Sequence, residues 1–80
     1  MIKSKLDAPG AQGRELIRRL HSQPGDARVN TEDGLRLDWP DRWVHLRASN
    51  TEPVLRIIAE ARTAEAAQEL VAEYTKLVKN

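Results

Sequence analysis

The chain has no cysteine and no phenylalanine, and only one tyrosine and two tryptophans among its 80 residues. Without thiols there is no disulfide framework and no thiolate metal site, and a reducing compartment suits the chain. With so few rings, the core has to be built from leucine, valine, isoleucine and alanine; Trp39 and Trp43 flank a turn and could stack on a sugar or base, but anchoring the core is the favoured reading. No run of about 18 apolar residues occurs, so no segment reads as a membrane-spanning helix. The opening "MIKSKLDAPG" also lacks the apolar stretch of a signal peptide. A dominant charge is missing too: 13 basic residues against 12 acidic ones leave a net charge of +1. That balance excludes the broad positive field of a dedicated nucleic-acid binder and confines any anion site to a local patch. These absences predict a soluble, cytoplasmic domain with no nucleic-acid partner and no membrane partner.

What is present is ordinary for a globular chain: 40% hydrophobic and 31% charged residues. A domain of this length buries only about 60% of its unfolded surface, which leaves no room for a large catalytic cavity. Residues 1–8 are polar and without period and read as a linker stub, leaving 9–80 as a single domain. From Pro9 to about Ser22 the pattern is helical, with proline in the opening turn and Leu16, Ile17 and Leu20 on one face; Gly10 and Gly13 weaken its start, and "QPGD" stops it. "ARVNTEDGLRLDW" reads as two strands around an Asp33-Gly34 turn, with Leu35, Leu37 and Trp39 alternating against Arg36 and Asp38. After a second turn at "PDR", Val44, Leu46 and Ala48 face one way and Trp43, His45 and Arg47 the other. "PVLRIIAEA" is apolar almost throughout, as in a strand covered on both faces, with Pro53 where it costs no ladder bond. Thr63 is placed to cap a last helix with Glu65 in its first turn, whose apolar face carries Ala67, Leu70, Val71, Tyr74, Leu77 and Val78. The expected fold is α+β, a four-stranded antiparallel sheet with two helices on one face.

One bend is richer in donors than a turn requires. In "RASNTEPVLR", residues 47–56, two hydroxyls and an amide stand in an unbroken run, Ser49, Asn50 and Thr51, between Arg47 and Arg56. A serine or an asparagine alone would satisfy turn geometry. A phosphate, by contrast, asks for converging donors and positive charge fixed before it arrives. Arg47 offers a planar fork for two oxygens, Arg56 a second cation, and the loop N–H groups can form an anion-binding nest. Glu52 repels phosphate and is read as a holder of an arginine or a loop amide.

"RASNTEP", the arginine at 56 and the following "AEA" resemble the phosphate-binding loop in the C-terminal domain of the α-D-phosphohexomutases, the phosphoglucomutases, phosphomannomutases and phosphoglucosamine mutases. The resemblance runs from about Asp33 to the last helix; residues 1–26 match in pattern only. It implies a TATA-binding-protein-like fold, serving as the fourth domain of an enzyme in which a phosphoserine elsewhere exchanges phosphate with a hexose phosphate. Arg47, Ser49, Asn50 and Thr51, and less firmly Arg56, would then grip the phosphate that is not being transferred. The partners implied are the hexose phosphate and the enzyme's other domains. The chain has no "TASHNP"-like phosphoserine loop and no "DGDGDR"-like magnesium loop. No catalytic residue and no cofactor is therefore expected in it, magnesium being implied for the full-length enzyme, and the fragment alone should not turn over substrate. "ASNTEP" in place of "PSGTEP" leans towards the phosphomannomutase/phosphoglucomutase branch.

Other readings of the same residues are weaker. Ser49 has no base and orienting acid placed beside it by any pattern, and a nucleophilic role is disfavoured. His21 and His45 lack the companions of a metal site and read as surface or packing residues. The arginines of "RELIRRLH" fit the solvated side of an amphipathic helix. Two further functions stay open: a free-standing phosphate-binding or anion-binding module without catalysis, and a scaffold that has kept the fold and lost its ligand.

Overall fold

Alternation dominates the architecture. The computed structural model describes residues 1–7, 10–23, 25–32, 34–48 and 54–79, with the side chains of 6, 7, 10, 11 and 79 left aside. In chain order the elements are β1 (Ile2–Asp7), α1 (Gly10–Ser22), β2 (Arg28–Asn30), β3 (Leu35–Trp39), β4 (Arg42–Ala48), β5 (Val54–Glu60) and α2 (Ala64–Lys79). The strands form one five-stranded sheet of order β1-β5-β4-β3-β2, antiparallel at every pairing.

Sequence reading anticipates an α+β fold with four strands, and the structure corrects the count to five. The fifth strand is β1, inside the segment taken for a linker stub. It has too few apolar residues to announce itself, yet Ile2 packs on the core while Lys3 and Lys5 stay exposed, a half-buried alternation. Its addition to β5 makes β5 an interior strand, paired on both edges. The reading of β5 as covered on both faces also needs correcting: Leu55, Ile57 and Ala59 are buried, but Arg56 and Glu60 are exposed. A strand paired on both sides is rich in apolar residues without both faces being covered.

Both helices lie on the buried face. Leu16 of α1 and Leu70, Val71 and Tyr74 of α2 share one cluster with Leu35, Leu37, Val44, Leu46, Leu55 and Ile57. Gly13 lets α1 approach the sheet at Ala48 and Leu55, since a Cβ there would stand 3.5 Å from the side chains of both. On the opposite side of α1, Arg14, Arg18 and Arg19 are exposed, the solvated face expected of it. α2 begins on a true N-cap: the Ala66 N–H donates to Thr63 Oγ1 at 3.0 Å. Pro9, at the expected opening of α1, lies outside the described residues.

Two turns have distinct causes. Only Pro40 and Asp41 separate the paired residues Trp39 and Arg42, a two-residue hairpin. Between β2 and β3, Asn30 Oδ1 accepts from the Glu32 N–H at 2.9 Å, and Gly34 adopts φ 74°. A Cβ on Gly34 would stand 2.4 Å from the Leu46 carbonyl oxygen, so the position is closed to side chains both by space and by backbone angle.

Urea denaturation of two glycine variants should therefore separate these roles. Gly34→Ala is expected to lose at least about 2 kcal/mol, from the left-handed backbone and the carbonyl collision together. Gly13→Ala, in a helix with room for a methyl group, should hold or gain stability, by up to about 1 kcal/mol.

Burial pushes the Tyr74 hydroxyl above its ordinary value of 10.0, Glu73 adds to the rise and Arg42 opposes it. Because the unfolded chain releases that proton at lower pH than the folded one, the contribution to stability is complete below pH 10.0 and lost as pH rises through the folded value. Tyr74→Phe should flatten the fall in denaturation midpoint above that pH; an unchanged slope would show that Tyr74 does not drive it.

Candidate anion site

The β4–β5 hairpin carries all five residues expected to bind an anion, and two of them fall among those described. Arg47 is the penultimate residue of β4 and Arg56 the third of β5, and the register sets them directly opposite one another. Both are exposed, on the face the helices leave open. Ser49, Asn50 and Thr51, with Glu52 and Pro53, lie outside the described residues.

Directly opposite residues of an antiparallel pair have Cβ atoms about 4.5–5.5 Å apart, and like charges placed so repel by up to about 1 kcal/mol. A dianion seated over both guanidinium groups converts that repulsion into attraction. The base of the arrangement is stiff. Gly34 packs against the backbone from which Arg47 projects, with its would-be Cβ 3.4 Å from Arg47 Cα.

Sequence reasoning passed over Lys5. The β1–β5 register places it opposite Arg56 on the other side, so that Lys5, Arg56 and Arg47 occupy one row across three adjacent strands. The signal was the alternation in "IKSKL", hidden by the brevity of the segment.

At the far end of the same face, charges are matched within the fold. Arg36 Nε donates to Asp38 at 2.9 Å and its guanidinium lies 4.3 Å from the centre of the Trp43 ring. Trp43 Nε1–H donates to Glu60 at 3.1 Å. Around the Pro40–Asp41 turn, Arg42 bonds Asp41 at 2.9 Å and stacks on Trp39 at 4.6 Å. Trp39 packs on the core as expected; Trp43, expected there too, belongs instead to the open face. A concavity of about 370 Å³ at this end is bordered by Trp39, Arg42, Trp43 and Glu60. Of the cations that line it, Arg42 already has a carboxylate and an aromatic partner.

His21 is exposed near the end of α1 and His45 is half-buried on β4. Among the described residues no three histidine, aspartate or glutamate side chains gather to hold a metal. No helix of the described residues is long and apolar enough to cross a membrane.

The chain matches a family model described as phosphoglucomutase/phosphomannomutase, C-terminal domain, over residues 1–77. Residues 1–26, which match in pattern only, fall within that span. A probable phosphoglucosamine mutase of Pyrococcus abyssi is 46% identical over 99% of this chain and 18% of its own length. The phosphoglucosamine/phosphogalactosamine mutase of Sulfurisphaera tokodaii is 35% identical over 98% of this chain and 18% of its own. A phosphoglucomutase/phosphomannomutase of Thermococcus kodakarensis is 41% identical over 64% of this chain and 11% of its own. The chain spans less than a fifth of the length of the curated relatives it matches. Their names do not single out the phosphomannomutase/phosphoglucomutase branch towards which the loop sequence leans.

If the two arginines meet a common anion, 10 mM phosphate at low ionic strength should stabilise the chain by about 1 kcal/mol, a rise in Tm of several degrees. Arg56→Gln should halve that rise or remove it, without lowering Tm in phosphate-free buffer. An equal rise in both proteins would dissociate Arg56 from the anion.

Proposed function

The chain belongs to the phosphoglucomutase/phosphomannomutase family, matching its C-terminal domain, and from that premise we propose that it clamps the non-transferred phosphate of a hexose phosphate within a longer mutase. The observation that carries this reading is the exposed apposition of Arg47 and Arg56 on strands that flank the donor-rich segment 49–53. Arg47, Ser49, Asn50 and Thr51 grip the phosphate oxygens and Arg56 adds charge from the neighbouring strand. The reaction is an intramolecular phosphoryl transfer, an isomerisation overall, in a cytoplasmic enzyme of TATA-binding-protein-like C-terminal fold. Its chemistry lies in other domains, as does the magnesium that the resemblance implies.

Holding a phosphate remote from the reacting bond orients the attacking hydroxyl and favours closure of the cleft. Loss of the clamp therefore lowers turnover as well as affinity. The sugar itself is read elsewhere. Trp43 lies opposite Glu60, four residues along β5 from Arg56, which is about 13 Å at strand spacing. A hexose anchored at the arginines falls short of it. A clamp that reads phosphate alone suits a family whose relatives are named for glucosamine, galactosamine, glucose and mannose phosphates.

Glucose 1-phosphate titrated into the isolated chain should bind weakly, on the order of millimolar, because one loop without a closed cleft loses most of the chelation. NMR amide shifts should centre on residues 47–56; shifts centred on α1 would defeat the assignment. In a complete mutase carrying this domain, Arg47→Ala should cost about 2–4 kcal/mol in kcat/KM. Unchanged kinetics would remove Arg47 from the site.

A further inference from the structure

We propose that the anion site is centred on Arg56 and completed by Lys5 of the N-terminal strand, so that three strands rather than one hairpin hold the phosphate. This rests on the reading of the site given above and deepens it.

The register supplies the geometry. Arg56 sits on β5 with Arg47 opposite it on β4 and Lys5 opposite it on β1. Cross-strand partners share a face, and all three side chains are exposed. Neighbouring strands are about 4.8 Å apart, so Arg47 and Lys5 stand roughly 10 Å from one another with Arg56 midway. An anion above Arg56 lies within reach of a long side chain leaning in from either flank. An anion held over Arg47 alone lies at one end of the row, two strand spacings from Lys5.

Charge favours the central position. Arg56 has a cation on each side, so a dianion above it faces three positive side chains, whereas one above either flank faces two. Lys5 brings a compact ammonium with three rotatable donors on a flexible stem, suited to a third phosphate oxygen already gripped by planar forks on its other side.

Edge-strand lysines also discourage sheet-to-sheet pairing. That duty falls equally on Lys3, which lies opposite Ile58, one step further from the row. Lys3 is therefore the control: it has the same charge on the same strand and face, but lies outside the row.

The test is a titration of the 80-residue chain with inorganic phosphate at low ionic strength, followed by NMR. In the wild-type chain the Lys5 ε-methylene resonances should shift together with the amides of residues 47–56, while those of Lys3 stay still. Lys5→Gln should weaken phosphate binding about three- to tenfold, Lys5→Arg should stay within about twofold of the wild-type chain, and Lys3→Gln likewise. A wild-type titration that moves residues 47–56 but not Lys5, or a Lys5→Gln chain that binds as well as the wild type, overturns the role of Lys5 and leaves the hairpin site standing. Equal weakening by Lys3→Gln and Lys5→Gln also overturns it, by reducing the effect to net charge. No shift at residues 47–56 in the wild-type chain overturns the hairpin site and this extension together.

Discussion

The register between β4 and β5 is the constraint from which the rest follows. On the inner face it pairs Val44 with Ala59, Leu46 with Ile57 and Ala48 with Leu55, and all but Ala48 are buried. Sliding one strand by a single residue would turn one strand's apolar set to solvent. Burying a leucine or isoleucine is worth about 1.5–3 kcal/mol, whereas a pair of opposed like charges costs about 1 kcal/mol at most. The apolar layer wins, and the outer face takes what that register dictates. Arg47 meets Arg56 because Leu46, Ile57 and Leu55 must stay covered, and not because the arginines attract one another.

A charge arrangement imposed from beneath is already in place before a ligand arrives. Anion binding to a mobile tail would have to order the chain first; here the backbone of both arginines is ordered by sheet pairing, and that of Arg47 is further backed by the close approach of Gly34. The glycine supports the candidate site without offering a ligand anything. It lets the β2–β3 connection lie against Leu46 and Arg47 where any other residue would force the strands apart.

What could be read in the sequence follows from how strongly each element repeats. Leu35, Leu37 and Trp39, then Val44, Leu46 and Ala48, alternate long enough to reveal two strands and their buried side, and the α2 stripe from Ala67 to Val78 reveals a helix with Thr63 as its cap. β1 was illegible because a short strand with two lysines and a serine is chemically indistinguishable from a polar tail until its partner is known. Trp43 was misread for a related reason: scarcity of rings suggests a core role, but its position in the alternation puts it on the face with His45 and Arg47. There a guanidinium and a carboxylate satisfy it. Arg47 and Arg56 could each be named from the loop pattern, while their direct opposition is a fact of pairing that no single segment contains.

The open face carries its charges in two arrangements. At the β3–β4 end, Arg28 faces Asp38 across the sheet, Arg36 bonds the same carboxylate, and Glu60 takes the Trp43 indole. At the end next to residues 49–53, Lys5, Arg56 and Arg47 stand in one row from β1 through β5 to β4. A chain with net charge of only +1 has no long-range field to gather ligands from solution, and at physiological salt a charge is screened beyond about 8 Å. Its pull is therefore confined to the immediate neighbourhood of that row.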